Sequence, residues 1–325
     1  MLEKYREYIH GDKAEIPYGV TSIEEYAFSD CTALISIEIP NSVTTIERFA
    51  FKGCSNLAYI EIPDSVTVIG EMAFYGCGLT EIEIPYSVKE IRNPFSGCNN
   101  LTSIIVQEGN PSFVSKNNCI LDRNSETVLY CGCKESLIPG SVTEIKSGAF
   151  EESGLTSISI PNSVKIIGKG AFARCRSLVS VRLPNDLTKI SDSVFSSCSG
   201  LTSIEIPNSV KIIGRNAFWG CSSLVSIKIP DGVERIGDQA FCNSGLVSIT
   251  IPNSVVEIGN GAFFFCFALA EVRLQFQDPS KAYDVYRKAS SLREGEITLY
   301  TPIGSGYAYR HFDYFKQFKE IKPVL

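Results

Sequence analysis

The sequence predicts a repeat solenoid with a parallel β-sheet along one face, and three observations carry that expectation. Prolines recur at 17, 40, 63, 85, 139, 161, 184, 207, 230 and 252, a period of about 23 residues. Ten phenylalanines keep step with them: Phe28, Phe51, Phe74, Phe95, Phe150, Phe172, Phe195, Phe218, Phe241 and Phe263. Each lies 11 residues after its proline, except Phe95, which lies 10 after Pro85. Each repeat also opens on an alternating segment such as Ser36-Ile37-Glu38-Ile39, the period-two pattern of a strand. A unit of this length cannot bury its apolar side alone, so successive units stack into one continuous core.

One repeat, Leu34 to Leu57, justifies its elements in order. Ile37 and Ile39 are expected to point inward, with Ser36 and Glu38 facing solvent. Pro40 ends the strand because it cannot donate a ladder hydrogen bond. Val43 and Ile46 turn back into the core along the return path, and Ala50 and Phe51 anchor a short helical or 3-10 turn on the opposite wall. Gly53 and Cys54 steer the chain round to Leu57, which opens the next strand. Residues 154–168 and 200–214 differ only at Ser159 against Glu205, a position assigned to the solvent side. A scaffold that varies its surface over a constant core, and drift at an exposed site, both account for this difference.

These IPNSV, AF and GC elements resemble the BspA-like class of leucine-rich repeat proteins, over nearly the whole chain. The resemblance implies a right-handed, curved solenoid with its parallel sheet on the concave face and short helical or 3-10 turns and loops opposite. It also implies a bacterial or protozoan surface or secreted protein that binds other proteins, host matrix or cell-surface components among them. No catalytic residue belongs to the repeat, so none carries over.

The register breaks between Asn99 and Pro139, where 54 residues separate Pro85 from Pro139. Cys119-Ile120-Leu121, a polar turn at 122–126 and Thr127-Val128-Leu129-Tyr130 read as a hairpin, which the family often carries within its array. It serves either as a recognition element or as a wedge between two repeat blocks. The expected organisation is an N-terminal cap over 1–13, a repeat block over 14–106, the hairpin insertion over 107–136, a second block over 137–274 and an α/β cap over 275–325. Within the last, DPSKAYDVYRKASSL reads as a helix opening on Asp278-Pro279, and Ile297 to Tyr300 as a final strand. Tyr307, Tyr309, Phe312, Tyr314, Phe315 and Phe318 resemble the aromatic helix with which members of the family close the last repeat.

Composition excludes several classes of function. The net charge of −6 argues against a nucleic-acid binder, which needs a basic face. No apolar run approaches the roughly 20 residues that span a bilayer. The start, MLEKYREYIHGDK, lacks the apolar stretch of a secretory signal. A cytoplasmic protein therefore stands beside the extracellular or cell-surface location that the resemblance implies.

Chemistry-bearing constellations are scarce. Eight of the 12 cysteines, Cys31, Cys54, Cys77, Cys98, Cys175, Cys198, Cys221 and Cys266, sit three residues after a repeat phenylalanine. Such a column reads as packing by free thiols, and Ser153 and Ser244 fill the same slot. Cys119, Cys131 and Cys133 form the one candidate metal cluster, but three thiolates fall short of a structural zinc site. Only two histidines exist, His10 and His311, both in the expected caps, so no Ser-His-Asp or Cys-His system is available to the repeats. The recurring serines, such as Ser42, Ser65, Ser163 and Ser209, fit turn chemistry. No enzyme, cofactor or metal is expected.

What remains is the outward face of the sheet. Glu38, Glu61 and Glu83 stack in its acidic N-terminal part, and Arg182, Glu205, Lys228 and Arg273 make a mixed C-terminal part. Tyr59 and Glu81 replace the serine common at the neighbouring position. These nine residues are the expected partner-binding set of a monomeric, non-enzymatic scaffold, probing a charged protein partner. The alternative is an intracellular structural or assembly module with no host ligand.

Overall fold

The computed structural model describes residues 3–287 and 294–324. The chain divides into two compact units, Met1–Thr156 and Ser157–Leu325, each a stack of coils joined by parallel strands.

In the first unit the alternation works as read at Ser36–Glu38, where Ile37 is buried between two exposed neighbours. Ile39 is only half-buried. Lys13–Glu15 pairs parallel with Ser36–Glu38, and Glu81–Ile84 with Ser103–Val106. The return path carries a second parallel ladder, Ser22–Ile23, Thr45–Ile46, Val68–Ile69 and Glu90–Ile91, whose isoleucines all point inward. Two residues per coil are too few to leave a periodic signal. The second unit repeats both ladders, with Ser157–Ser159, Ser180–Arg182 and Ser203–Ile204 on one wall. Lys189–Ile190, Ile212–Ile213, Arg235–Ile236 and Glu257–Ile258 form the other.

The wall expected to carry short helical turns is built of linked turns with a regular conformational rule. Two residues before and two after each of the ten repeat phenylalanines, φ is positive. Phe49 (55°) and Gly53 (74°) flank Phe51, and Asn216 (52°) and Gly220 (71°) flank Phe218. Alternating left-handed residues aim every second N–H at the next coil. Thus Phe49, Phe51 and Gly53 donate to the carbonyls of Glu71, Ala73 and Tyr75 at 3.2, 2.8 and 2.7 Å. A left-handed non-glycine residue costs about 1–2 kcal/mol, and three inter-coil hydrogen bonds offset it. Inside this wall the phenylalanines stack nearly parallel, at 5.4–5.8 Å from Phe28 to Phe95 and 5.4–5.7 Å from Phe172 to Phe263. Where the turn before the strand is one residue shorter, glycine stands at 78 and 245, because a Cβ there would collide with the carbonyl oxygens of Ser55 and Ser222.

The serines do something other than close their own turns. Ser42, Ser65 and Ser209 donate to the carbonyls of Val20, Val43 and Leu187, one coil back, at 2.8, 2.6 and 2.7 Å. Ser163 alone of the four named leaves its buried hydroxyl without a partner. The cysteine column is likewise a ladder. The thiols of Cys54, Cys77, Cys98, Cys198 and Cys221 donate to the carbonyl of the phenylalanine one coil earlier, at 3.0–3.2 Å. Ser244 meets Cys266 at 3.3 Å.

Burial pushes the Cys98, Cys119 and Cys221 thiols from an ordinary value of 9.0 up to about 12. Folded values above unfolded ones mean that this contribution to stability is complete below pH 9 and is lost as pH rises towards 12. Denaturation at successive pH values should show stability falling over that window, and less steeply in a Cys98→Ala/Cys221→Ala variant. Parallel declines in both proteins would remove the thiols from the account.

The interruption at 107–136 contains an antiparallel sheet. Cys119–Asp122 pairs with Val128–Gly132, and on its other side with Phe113–Lys116, a strand the sequence reading did not anticipate. Asp122 closes the 122–126 turn by accepting from Ser125, Thr127 and Val128 at 2.6–3.0 Å. Val128–Gly132 also pairs parallel with Glu144–Ile145, so it serves as a coil strand as well. Glycine is required at 132 because the Phe150 ring occupies the space of any side chain there.

At the start of the first unit a 3-10 turn, Glu3–Tyr8, lays Tyr5 edge-on against Phe28 at 5.1 Å. In the second unit, Ser248–Ile251, Glu271–Leu274, Thr298–Thr301 and Glu320–Pro323 form one parallel sheet. Helix α1 (Pro279–Tyr286) opens on Asp278, whose Oδ1 accepts from the Ser280 N–H at 2.8 Å. Residues 288–292 of the expected helix lie outside the described residues. Helix α2 (Gly306–His311) and a 3-10 turn (Asp313–Gln317) bury Tyr309 and Phe315, and the Tyr309 hydroxyl donates to Phe276 O at 2.7 Å.

Candidate functional site

Because strand side chains alternate, every outward residue on the first unit's sheet belongs to one of two adjacent columns. One runs through Ser36, Tyr59, Glu81 and Ser103, and the other through Glu15, Glu38, Glu61, Glu83 and Ile105. Four of the expected binding residues, Glu38, Tyr59, Glu61 and Glu83, line a single cleft of about 920 Å³. Asp64, Asn41 and Gln107 join them. Glu81 is exposed on the same face, opposite Ser103, but outside this lining. Glu15 was overlooked, although Pro17 follows it as Pro40 follows Glu38, which was signal enough. Asp64 and Gln107 left no such mark, since they enter the cleft from loops.

The electrostatics of the cleft are one-sided. No basic residue lines it. Among the described residues, the side chains of Glu38, Glu61, Asp64 and Glu83 make no hydrogen bond or ion pair. Some carboxylates elsewhere in the unit are paired, as where Arg48 bridges Glu25 and Glu71 at 3.0 and 3.2 Å, or Arg92 meets Glu90 at 2.8 Å. The nearest cation along the sheet is Lys13, at the register of Ser36. The unit as a whole holds 22 acidic against 11 basic side chains, whereas Ser157–Leu325 holds 14 against 19. Tyr59 is 55% exposed, so an aromatic ring stands open beside the carboxylates.

The second unit separates its share of the expected residues. Arg182 and Glu205 line a smaller cleft of about 390 Å³ with Asn185 and Asn208. Lys228 is exposed outside that lining. Arg273 is not a free charge: it pairs with Glu271 at 2.6 Å and lies over the Tyr300 ring at 4.7 Å. Tyr300 lies beyond the last regular repeat and left no signal, whereas Glu271 is two residues before Arg273 on the same strand and was legible from the alternation.

The histidines stand away from these clefts. His10 pairs with Lys13 in the N-terminal hairpin, and His311 stacks on Tyr307 at 4.0 Å. Among the described residues no group of three or more Cys, His, Asp or Glu side chains is arranged to hold a metal ion. None of the helices described is long and apolar enough to cross a membrane.

The model of the BspA-type leucine-rich repeat region matches the chain in six copies, over residues 21–120, 143–270 and 190–297. No curated protein matches the sequence. Several solved structures are similar. A leucine-rich cell surface protein from Faecalibacterium prausnitzii is 29% identical, with a TM-score of 0.57 over 84% of this chain and 73% of that one. A leucine-rich repeat protein from Eubacterium ventriosum is 22% identical, with a TM-score of 0.58 over 78% and 82%. The pneumococcal vaccine antigen PcpA is 21% identical, with a TM-score of 0.62 over 97% and 79%. At those last two identities the likeness is one of fold.

Proposed function

This chain belongs to the BspA-type leucine-rich repeat family, and on that premise we propose that it is a non-enzymatic, protein-binding scaffold of the bacterial cell surface. The outward face of its parallel sheet is the binding surface. One observation carries the reading: the first unit keeps a cleft in which an open tyrosine ring stands beside four carboxylates that, among the described residues, have no hydrogen-bond or ion-pair partner, with no basic residue in the lining. Rows of like charge on adjacent strands are destabilising, so an unpaired row is a feature that folding does not require. The cell-surface description of the Faecalibacterium relative supports the location. Glu38, Tyr59, Glu61, Glu81 and Glu83 form the principal contact region on the first unit, and Arg182, Glu205 and Lys228 form a separate, secondary set on the second unit's own face.

The test is photocrosslinking on bacterial cells and host matrix extracts. A benzophenone amino acid at position 59 should yield a discrete covalent protein adduct, and one at position 307, on the exposed C-terminal aromatic ring, should not. Adducts from 307 alone would move the site to the end of the chain. No adduct from either would favour the structural or assembly alternative.

A further inference from the structure

Resting on that reading, we propose that the first unit's sheet face takes an extended, basic polypeptide segment whose lysine or arginine side chains recur at every second position. The chemistry of the occupant follows from charge and spacing. Glu38, Glu61 and Glu83 point out of successive coils, and Glu15 continues the row on the strand that pairs with Ser36–Glu38. Coils paired through parallel strands stand about 4.8 Å apart, so this row of four carboxylates spans roughly 14 Å. An extended chain rises about 3.3 Å per residue, so three side chains at alternate positions span about 13 Å. A segment crossing the strands therefore sets three cations along the carboxylate row and turns its intervening side chains away.

A compact or anionic occupant fits less well. Asp64 adds a further carboxylate from the rim, and no lining side chain offers a compensating cation. The open Tyr59 ring gives the aliphatic stem and charged head of one lysine or arginine a face to lie on. Tyr86, half exposed beyond the cleft rim, has its N–H held by Gln107 Oε1 at 3.1 Å, which leaves that loop pinned before a partner arrives. Pre-ordering of this kind reduces what binding must spend on fixing loops.

The experiment uses the full chain and a fluorescent synthetic peptide with three lysines at alternate positions, read by anisotropy. The expected result is saturable binding, weakened about tenfold in a Glu38→Gln/Glu61→Gln/Glu83→Gln variant, equivalent to about 1.4 kcal/mol. Raising salt should weaken it as well. Tyr59→Ala should reduce affinity, and Lys169→Gln, at an exposed turn position outside both clefts, should leave it unchanged. Because the three glutamates are exposed and unpaired, the triple variant should melt no lower than wild type, which separates lost recognition from lost folding. Equal binding by the triple variant overturns the proposal. So does an equal affinity for spermine, which marks mere counterion capture, or salt-sensitive self-association that the variant abolishes, which makes a second copy the occupant. If the peptide fails to bind while position 59 still crosslinks a protein, the basic-segment proposal falls and the scaffold reading stands.

Discussion

Replacing Phe218 by alanine is expected to cost about 3–5 kcal/mol, the range for removing a fully buried aromatic ring. Phe218 has no exposed surface and lies between Phe195 at 5.7 Å and Phe241 at 5.4 Å. Its removal leaves a void with rings on two sides. The turns that carry these rings are tied coil to coil by backbone hydrogen bonds, with Phe218 N–H donating to Ala240 O at 2.7 Å. The backbone is thus poorly placed to collapse into the gap. Since a stacked repeat is stabilised through its neighbours, the loss should also uncouple the coils on either side. Guanidinium denaturation followed by near-ultraviolet dichroism checks both effects. A Trp219→Ala variant, at the partly exposed position next in sequence, provides the comparison. A loss below about 1 kcal/mol at 218, within the range of an ordinary substitution, would mean that the ring column is not the core.

The second large effect is expected at Asn110. This side chain is wholly buried and uses all its bonding capacity in one place. Its Nδ2 donates to Pro85 O at 2.9 Å and Val88 O at 3.0 Å, while Oδ1 accepts from the N–H groups of Ser112 and Phe113 at 2.9 and 2.8 Å. It therefore fastens the last regular turn of the first block to the start of the strand Phe113–Lys116. Asn110→Ala strands the Val88 carbonyl and the amides of Ser112 and Phe113, at about 1–3 kcal/mol for each group that water cannot reach, while Pro85 O keeps the Val88 N–H at 3.3 Å. A total of roughly 3–5 kcal/mol is expected if some of these groups regain solvent. Asn110→Asp should be at least as damaging, because its carboxylate would face two carbonyl oxygens. Amide hydrogen exchange is the measurement, with protection at Phe113 falling before that at Ile46 or Phe51. Unchanged protection at Phe113 would show that the strand holds without its anchor.

Much of this molecule was legible in its sequence. The proline and phenylalanine columns predicted the stacking, and the inward positions Ile37, Val43, Ile46 and Phe51 are all buried. Cysteines three residues after each phenylalanine were read as packing groups, and Cys54, Cys77 and Cys98 are buried in step with the rings beside them. Of the candidate site, Glu38, Tyr59, Glu61 and Glu83 were named from alternation alone and share one cleft. Asp64 and Gln107 were not, because a loop residue's direction depends on the coil beneath it. Arg273 appeared to be an available charge until the structure placed Glu271 and Tyr300 against it.

The sequence by itself determined the period, the identity of the core and the alternation that sends a row of glutamates outward. These properties are local: burial recurs with the repeat, and strand side chains alternate whatever lies beyond them. Only the tertiary structure decided what each polar group bonds to. Ser65 reaches Val43, Cys77 reaches Phe51 and Asn110 reaches Pro85, partners 22 to 26 residues away that no composition rule selects. The left-handed flanks of each phenylalanine belong to the same class. Tyrosine, methionine, serine and glutamine all occupy them, because the backbone of the next coil, rather than the side chain, makes that conformation worth its strain.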